Sequence, residues 1–225
     1  MYNLKSFFKN TGLYAMLLLV IVSTVNCKKK SDTPTPKVTV AFQDKKYIID
    51  AYIANYAPDM QVNYGSDPKI YTSAWTYSGT PVEIKTLLKF DYSSIPSSAT
   101  IKSAYLTLYA DTTDQFPYGS TFNTGNFGSA DSSVISNVTS TWSESTVTWA
   151  SKPTNSILNQ VKLKPLSTSD SLYVDVTQLV IDQHVNGNYG FQLDLLNYTP
   201  YTRLAFYSSE CTNYPKLIPK LVIQY

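Results

Sequence analysis

The chain has 225 residues and a net charge of +2, from 18 Lys and Arg against 16 Asp and Glu. Five lysines and one aspartate lie within residues 1–36, so the remainder carries 13 basic and 15 acidic groups, a net charge of −2. This balance excludes the basic surface that nucleic-acid-binding proteins need. Tyrosine is abundant, at 19 residues, and glutamate is scarce, which favours an all-β domain of the exported type.

The first 26 residues predict an export signal. Lys5 and Lys9 precede a 13-residue apolar run that is too short to span a bilayer and that ends near Cys27. Such a leader resembles a bacterial lipoprotein signal, in which the cysteine becomes the lipid-bearing N-terminus. We expect a signal peptide over 1–26, lipidation at Cys27, and export to the outer membrane at the cell surface, with membrane contact through the lipid anchor only. An ordinary cleaved secretion signal is the alternative.

Residues 27–37 are charged and rich in Pro and Thr, which predicts an extended tether after the lipidated cysteine. Residues 38–225 show no linker-like break and no internal repeat, so we expect them to form one domain. Lipidation of Cys27 would leave Cys211 without a partner, which predicts a fold without disulfides.

Apolar and polar side chains alternate through most of residues 38–225, and turn signals separate the runs. In EIKTLLKFDY, Leu88 and Phe90 share one face and Lys85 and Lys89 the other. Many short alternating runs predict an all-β fold, an antiparallel, jelly-roll-like β-sandwich. The stretch DVTQLVIDQHVNG predicts one short helix, capped by Asp175 or Thr177 and ended by Gly187. The Gly-, Ser- and aromatic-rich residues 111–131 predict a long loop.

Catalytic patterns are weak, because His184 is the only histidine and no phosphate loop, metalloprotease motif or nucleophile elbow is present. Glycoside hydrolysis needs two carboxylates about 5–9 Å apart, and the sequence brings no two of its candidates together. STWSESTVTW places Glu144 between Trp142 and Trp149, which is typical of a sugar cleft and also of a buried sandwich corner. We predict a non-catalytic protein, with a polysaccharide lyase or glycoside hydrolase as the enzyme alternative. The candidate carboxylates are Glu83, Glu144, Asp194 and Glu210.

The strings LLKFD, SSIP, WSESTVTW and DVTQLV follow one another within residues 48–225. This part of the chain resembles the DNRLRE-type domain, a disaggregatase-related family of carbohydrate-binding modules. The resemblance implies a β-sandwich of a secreted or surface protein, and some such modules bind acidic polysaccharides such as alginate. It also gives WSESTVTW a scaffold role, with Trp142 in the core and Glu144 accepting hydrogen bonds from its own turn. His184 and Ser209 stand where the family tends to have an aromatic residue and an arginine.

Strand parity offers a candidate ligand surface. If EIKTLLKFDY and SAYLTLYA lie in one sheet, then Lys85, Lys89, Tyr105 and Tyr109 share its outer face. Ammonium groups there would meet the carboxylates of an acidic glycan, and the rings would cover apolar sugar faces. The alternative is that these lysines and tyrosines are ordinary solvent-facing residues of antiparallel strands. Arg203, the only arginine, can grip a carboxylate through two hydrogen bonds.

Two further features remain open. Trp75, in a polar stretch that predicts a loop before a strand, is either a stacking platform or a packing residue. Asp50, Asn63 and Asp67 carry oxygens that can hold a structural Ca²⁺, although a plain turn explains NYGSDP equally well. No motif requires any other cofactor.

The sequence therefore predicts a non-catalytic surface lipoprotein that binds a polysaccharide, an acidic one among the candidates, through tyrosine, tryptophan, lysine and arginine side chains. The alternative is a structural or adhesive cell-envelope protein with a protein partner.

Overall fold

The computed structural model describes residues 37–111, 113, 132–166 and 171–225, together with the backbone of residues 126–127. Cys27 and most of the predicted loop 111–131 lie outside the described residues. The described chain contains twelve strands, a 3₁₀ turn and one α-helix. In chain order these are β1 (Thr39–Phe42), the turn (Lys45–Tyr47), β2 (Ile48–Ala54), β3 (Lys69–Tyr77), β4 (Thr80–Phe90), β5 (Ser103–Leu108), β6 (Asn126–Phe127), β7 (Ser133–Asn137), β8 (Val161–Leu163), β9 (Leu172–Asp175), α1 (Thr177–Asn186), β10 (Phe191–Leu195), β11 (Thr202–Tyr207) and β12 (Lys220–Gln224).

The strands form two antiparallel sheets. One has the order β1-β12-β5-β9, and the other has the order β6-β11-β3-β4-β10-β7-β8, with β2 paired to β4. Inward side chains from both sheets build one apolar core, in which the phenylalanines of β1, β4, β10 and β11 are almost fully buried. The prediction of an all-β, jelly-roll-like antiparallel sandwich with one short helix is confirmed.

Strand β4 is the centre of the larger sheet. Its first half forms a hairpin with β3 through Ser78 and Gly79, whose φ angles of 48° and 81° suit a two-residue hairpin turn. Its second half pairs with β2 over Ile84–Phe90 and with β10 over Thr86–Leu88. Both edges of β4 are therefore hydrogen-bonded, so the side chains along it are held in fixed positions.

Helix α1 follows β9 directly, as the sequence predicts. Leu179 and Val180 are buried in the core, and Gly187 ends the helix with a φ of 106°. The N-terminal cap differs from the expectation, because Val176 occupies the cap position and makes no side-chain bond there. The carboxylate of Asp175 instead accepts a hydrogen bond from Thr177 N at 2.8 Å. No helix among the described residues is long and apolar enough to cross a membrane.

A second, smaller core lies on the outer face of the larger sheet. Ala51 and Ile53 of β2 and Leu87 of β4 point away from the main core and are fully buried. The segment 138–150, which we call the tryptophan loop, covers them. Its covering side chains are Val138, Trp142, Val147 and Trp149.

Trp142 has the predicted scaffold role, because it packs against this second core and its Nε1 donates to the carbonyl oxygen of Tyr189 at 2.8 Å. The predicted partners of Glu144 are wrong. Its carboxylate accepts from the backbone N–H of Asp50 at 2.8 Å, which ties the loop to β2 and not to its own turn.

The turn at Asn63 fastens the tryptophan loop from the other side. The Asn63 amide donates to the carbonyl oxygens of Glu144 and Val147, at 2.7 and 2.8 Å. Gly65 follows two residues later and lies against the Glu144 backbone, so that a Cβ atom at this position would overlap the Glu144 carbonyl group.

We predict that Gly65→Ala destabilises the protein by about 1–3 kcal/mol, because backbone and not a movable side chain occupies the space that the methyl group needs. Chemical denaturation followed by tryptophan fluorescence measures the change. Ser66→Ala, at the exposed neighbouring position, serves as the matched control and should remain within about 0.5 kcal/mol of the parent. Equal stabilities for both variants would contradict the packing described here.

Candidate functional site

The four residues of the predicted ligand surface do not share a sheet. Lys85 and Lys89 lie in β4 of the larger sheet, whereas Tyr105 lies in β5 of the smaller sheet and Tyr109 directly follows it. The assumption of a common face is therefore wrong. Alternation along a strand defines which side chains share a face of that strand, but it does not identify the strand's neighbours.

The two tyrosines have separate surroundings. Tyr105 stacks on Tyr173 of β9, with ring centroids 5.2 Å apart and an interplanar angle of 1°, on the outer face of the smaller sheet. Tyr173 is 68% exposed, so this pair offers an aromatic surface to solvent. Tyr109 is partly buried and packs against the main core.

Lys85 is occupied by protein partners. Its ammonium lies 2.8 Å from the carboxylate of Asp194, and both side chains are largely buried. The rings of Trp149 and Tyr198 lie 5.5 and 5.3 Å from the same ammonium. Tyr198 donates to Asp194 at 2.6 Å, and burial together with this bond raises the pKa of Tyr198. Lys85 therefore belongs to a neutralised internal cluster.

Lys89 has a different environment, although it shares a face with Lys85. It lines an open groove of ≈ 980 Å³ between the 3₁₀ turn, the end of β4 and the end of α1. Lys89 makes no ion pair with the residues that the structure describes. We call this cleft the lysine groove. Its lining includes Lys46, Tyr47, Ile49, Lys89, Asp91, Tyr92, Ser93, Ser97, His184 and Asn188.

Lys46 and Tyr47 form the other wall of the lysine groove. The Lys46 ammonium lies 4.8 Å from the Tyr47 ring centroid, and the exposed Asp44 carboxylate is 3.6 Å away. The Tyr47 ring is held edge-on against Phe42 at 5.6 Å. A fixed ring beside an ammonium matches the two surfaces of an acidic sugar, which has an apolar ring face and a carboxylate. In the sequence, Lys46 and Tyr47 belong to the stretch DKKY, which could have been recognised only as a basic turn before a strand.

Hydrogen bonds hold the remaining walls of the lysine groove in place. The Asn188 amide donates to the carbonyl oxygen of Phe90 at 2.7 Å, and Tyr92 OH donates to Gln183 at 2.9 Å. The Ser93 N–H holds the pKa of Asp91 below its usual range, and Lys89 adds to this effect. Two lysines and the carboxylate of Asp91 line the groove, and the Asp44 carboxylate lies just outside this lining, beside Lys46.

His184 also lines the lysine groove. Its Nε2 is buried and has no hydrogen-bond partner among the residues that the structure describes. His184 is the only histidine in the chain, so a metal site built from several histidines is excluded.

Trp75 and Arg203 each make a contact with a tyrosine ring. Trp75 belongs to β3 and not to a loop, so that part of its prediction is wrong; its half-exposed ring meets Tyr201 edge-on at 4.8 Å. Arg203, in β11, is 7% exposed and its guanidinium lies 4.4 Å from the Tyr71 ring centroid. Ligand contact by either residue stays a prediction.

The residues of the predicted calcium site have protein partners. Asp50 is buried and accepts from Ser209 N at 2.8 Å, and the Asn63 oxygen accepts from Gly65 N. The two carboxylate oxygens of Asp67 accept from Lys69 N and Tyr52 OH. Within the described ranges, no group of three or more His, Cys, Asp or Glu residues is placed to hold a metal ion. Calcium stays a prediction for which these side chains present no shared set of ligands.

The chain is an antiparallel β-sandwich with an open groove lined by lysine and tyrosine. The profile of carbohydrate-binding module family 96 matches residues 41–225, and the chain belongs to that family. No curated protein matches the chain. Family membership supports a polysaccharide ligand.

We predict that Lys85→Ala lowers the free energy of unfolding by on the order of 3 kcal/mol, because it leaves the largely buried Asp194 carboxylate without its cation. Urea denaturation measures the loss. Lys162→Ala removes the same charge from an exposed position in β8 and should change stability by less than about 0.5 kcal/mol. A Lys85 variant as stable as the parent would show that the cluster contributes no net stability.

We also predict that stability falls as the pH rises from about 4 to about 7. Burial raises the pKa of Asp50 to about 7, against the opposing Ser209 N–H bond, whereas an aspartate in the unfolded chain titrates near about 3.9. The native state therefore holds more protons than the unfolded state in this range, and Asp50 contributes a loss of at most about 1.4 kcal/mol per pH unit. Urea denaturation at several pH values measures the slope.

Asp50→Asn should flatten this slope. Burial also raises the pKa of the neighbouring Glu144, so a residual slope of the same sign should persist. Asp91→Asn is the control, because the pKa of Asp91 is lowered and its replacement should leave the slope between pH 5 and about 7 unchanged. A flat profile for the parent protein would refute the assignment to Asp50.

Proposed function

We propose that the protein is a non-catalytic lipoprotein, anchored through Cys27 to the outer membrane at the cell surface, which binds an acidic polysaccharide in the lysine groove. The observation that carries the proposal is the convergence of Lys46, Lys89 and the Tyr47 ring on one open cleft in a member of a carbohydrate-binding family. The DNRLRE-type resemblance in the sequence, a family in which some modules bind alginate, supports an acidic ligand.

The expected binding mode follows from the groove lining. Lys46 and Lys89 would each attract a uronate carboxylate, and Tyr47 would cover the apolar face of one sugar ring. Exposed ion pairs contribute only about 0.2–1 kcal/mol each, so we expect modest affinity for a single unit. A polymer presents many equivalent units, and repeated encounters along it would raise the apparent affinity.

Affinity electrophoresis through a native gel that contains alginate tests the proposal. The full chain is purified in a detergent without a sugar headgroup, so that the detergent does not compete. We predict that the parent protein is retarded, and that Lys46→Ala combined with Lys89→Ala weakens binding about tenfold, which corresponds to about 1.4 kcal/mol. Added NaCl should reduce the retardation, because salt screens exposed charges.

Two single-charge variants serve as controls. Lys162→Ala should retain full retardation, since Lys162 does not line the groove, and Lys85→Ala should do so wherever it remains folded. Alginate incubated with the protein should gain no unsaturated ends, which a lyase would produce. Retardation that disappears in EDTA would support the calcium prediction. A protein that no acidic polymer retards would refute the proposed ligand.

A further inference from the structure

A second groove lies on the other side of the end of helix α1. Its volume is ≈ 390 Å³, and it runs between the second half of the helix and the segment 156–159. Gln183 and Gly187 line both this cleft and the lysine groove, so both clefts border the end of the helix. We call it the amide groove. Its lining is Asn137, Val138, Thr139, Ser156, Leu158, Asn159, Asp182, Gln183, Asn186, Gly187 and Tyr189.

The amide groove differs from the lysine groove in charge. Its lining contains no lysine, arginine or histidine and one carboxylate, that of Asp182. The Asn159 and Gln178 amides each donate to a different oxygen of this carboxylate, at 2.7 and 2.9 Å. A carboxylate has about four acceptor positions. The bound amides therefore fix the orientation of Asp182 and leave acceptor capacity for two further donors.

Three side chains, those of Val138, Leu158 and Tyr189, give the amide groove apolar surface among its polar lining. Leu158 is 71% exposed, and the half-buried Tyr189 ring lies against Gly187. Ligand sites typically combine apolar side chains with a few hydrogen-bonding groups on one concave surface. The groove thus combines hydrogen-bonding groups with hydrocarbon surface.

We propose that the amide groove binds a neutral pyranose unit, as a second subsite that adjoins the acidic-sugar subsite. This inference rests on the proposed function. Paired hydroxyl groups of a pyranose donate well to a carboxylate, and the C–H face of the ring packs on Leu158 and Tyr189. Asp182 repels a uronate, so this subsite discriminates against acidic units. The module then recognises a glycan that contains both acidic and neutral sugars.

Asn186 is the best reporter of this subsite. It is exposed at the rim of the groove, and its side chain makes no hydrogen bond with any residue in the described part of the chain. Its replacement therefore removes an available donor and acceptor without breaking an internal bond. Val185, which is 75% exposed on the same helix and does not line the groove, provides a matched control position.

The test uses native affinity gels that contain a neutral β-glucan, a galactomannan or a xylan, with an alginate gel run in parallel. We expect at least one neutral polymer to retard the full chain. Asn186→Ala combined with Leu158→Ala should weaken that binding at least about fivefold, and Val185→Ala should leave it unchanged. In the alginate gel we expect the opposite pattern: Lys46→Ala and Lys89→Ala should weaken retardation, and Asn186→Ala should leave it unchanged. Thermal unfolding confirms that each variant is folded.

The outcomes separate the two proposals. Retardation by alginate and by no neutral polymer overturns the neutral subsite and leaves the proposed function standing. Retardation by a neutral polymer alone supports the subsite and rejects acidic-polymer binding. Neutral binding that the Asn186 and Leu158 changes do not affect also overturns the amide groove. A chain that none of the polymers retards overturns both proposals.

Discussion

Strand β4 buries apolar side chains on both of its faces, and the rest of the structure depends on how these two faces are covered. Leu88 and Phe90 enter the main core between the sheets, whereas Leu87 points the other way. A sheet exposed to water on its outer face would leave Leu87, Ala51 and Ile53 in solvent, at a cost of roughly 25 cal/mol for each Å² of apolar surface. The tryptophan loop removes that surface from water.

The tryptophan loop also determines which lysine side chains of β4 can contact a ligand. The tryptophan loop lies over one part of the outer face, where Trp149 approaches Lys85 and where Asp194 neutralises it. Lys89 lies four residues along the same strand, beyond the Trp142 and Trp149 contacts, and faces the open groove. The two lysines lie on the same face of β4 but differ in their surroundings, because Lys85 is paired with Asp194 and Lys89 lines the lysine groove. The pair of tryptophans is therefore a scaffold feature, and neither ring is among the residues that line the lysine groove.

This division explains what could be predicted from the sequence. Alternation in β4 and β5 is a local property, so the strands, their faces and the sandwich followed from it, and Gly187 marked the end of α1. The pairing of β5 with β9 and β12, and of β4 with β2 and β10, depends on contacts between distant segments. No spacing within one strand encodes such contacts. In the sequence Lys46 is only one residue of a basic turn. Its proposed role in ligand binding depends on Lys89, which the fold brings to the same groove.

The end of helix α1 connects the remaining features. Gln183 is buried there; its amide donates to Asn137 and to the carbonyl oxygen of Gly190, and its carbonyl oxygen accepts from Tyr92. These bonds fix the helix end against both β7 and the segment that follows β4, so neither groove can widen without breaking a buried hydrogen bond. Buried polar groups are costly to leave unpaired, and the two clefts should therefore be preformed. A preformed surface loses little conformational entropy on binding, which favours the weak, repeated contacts of a polysaccharide.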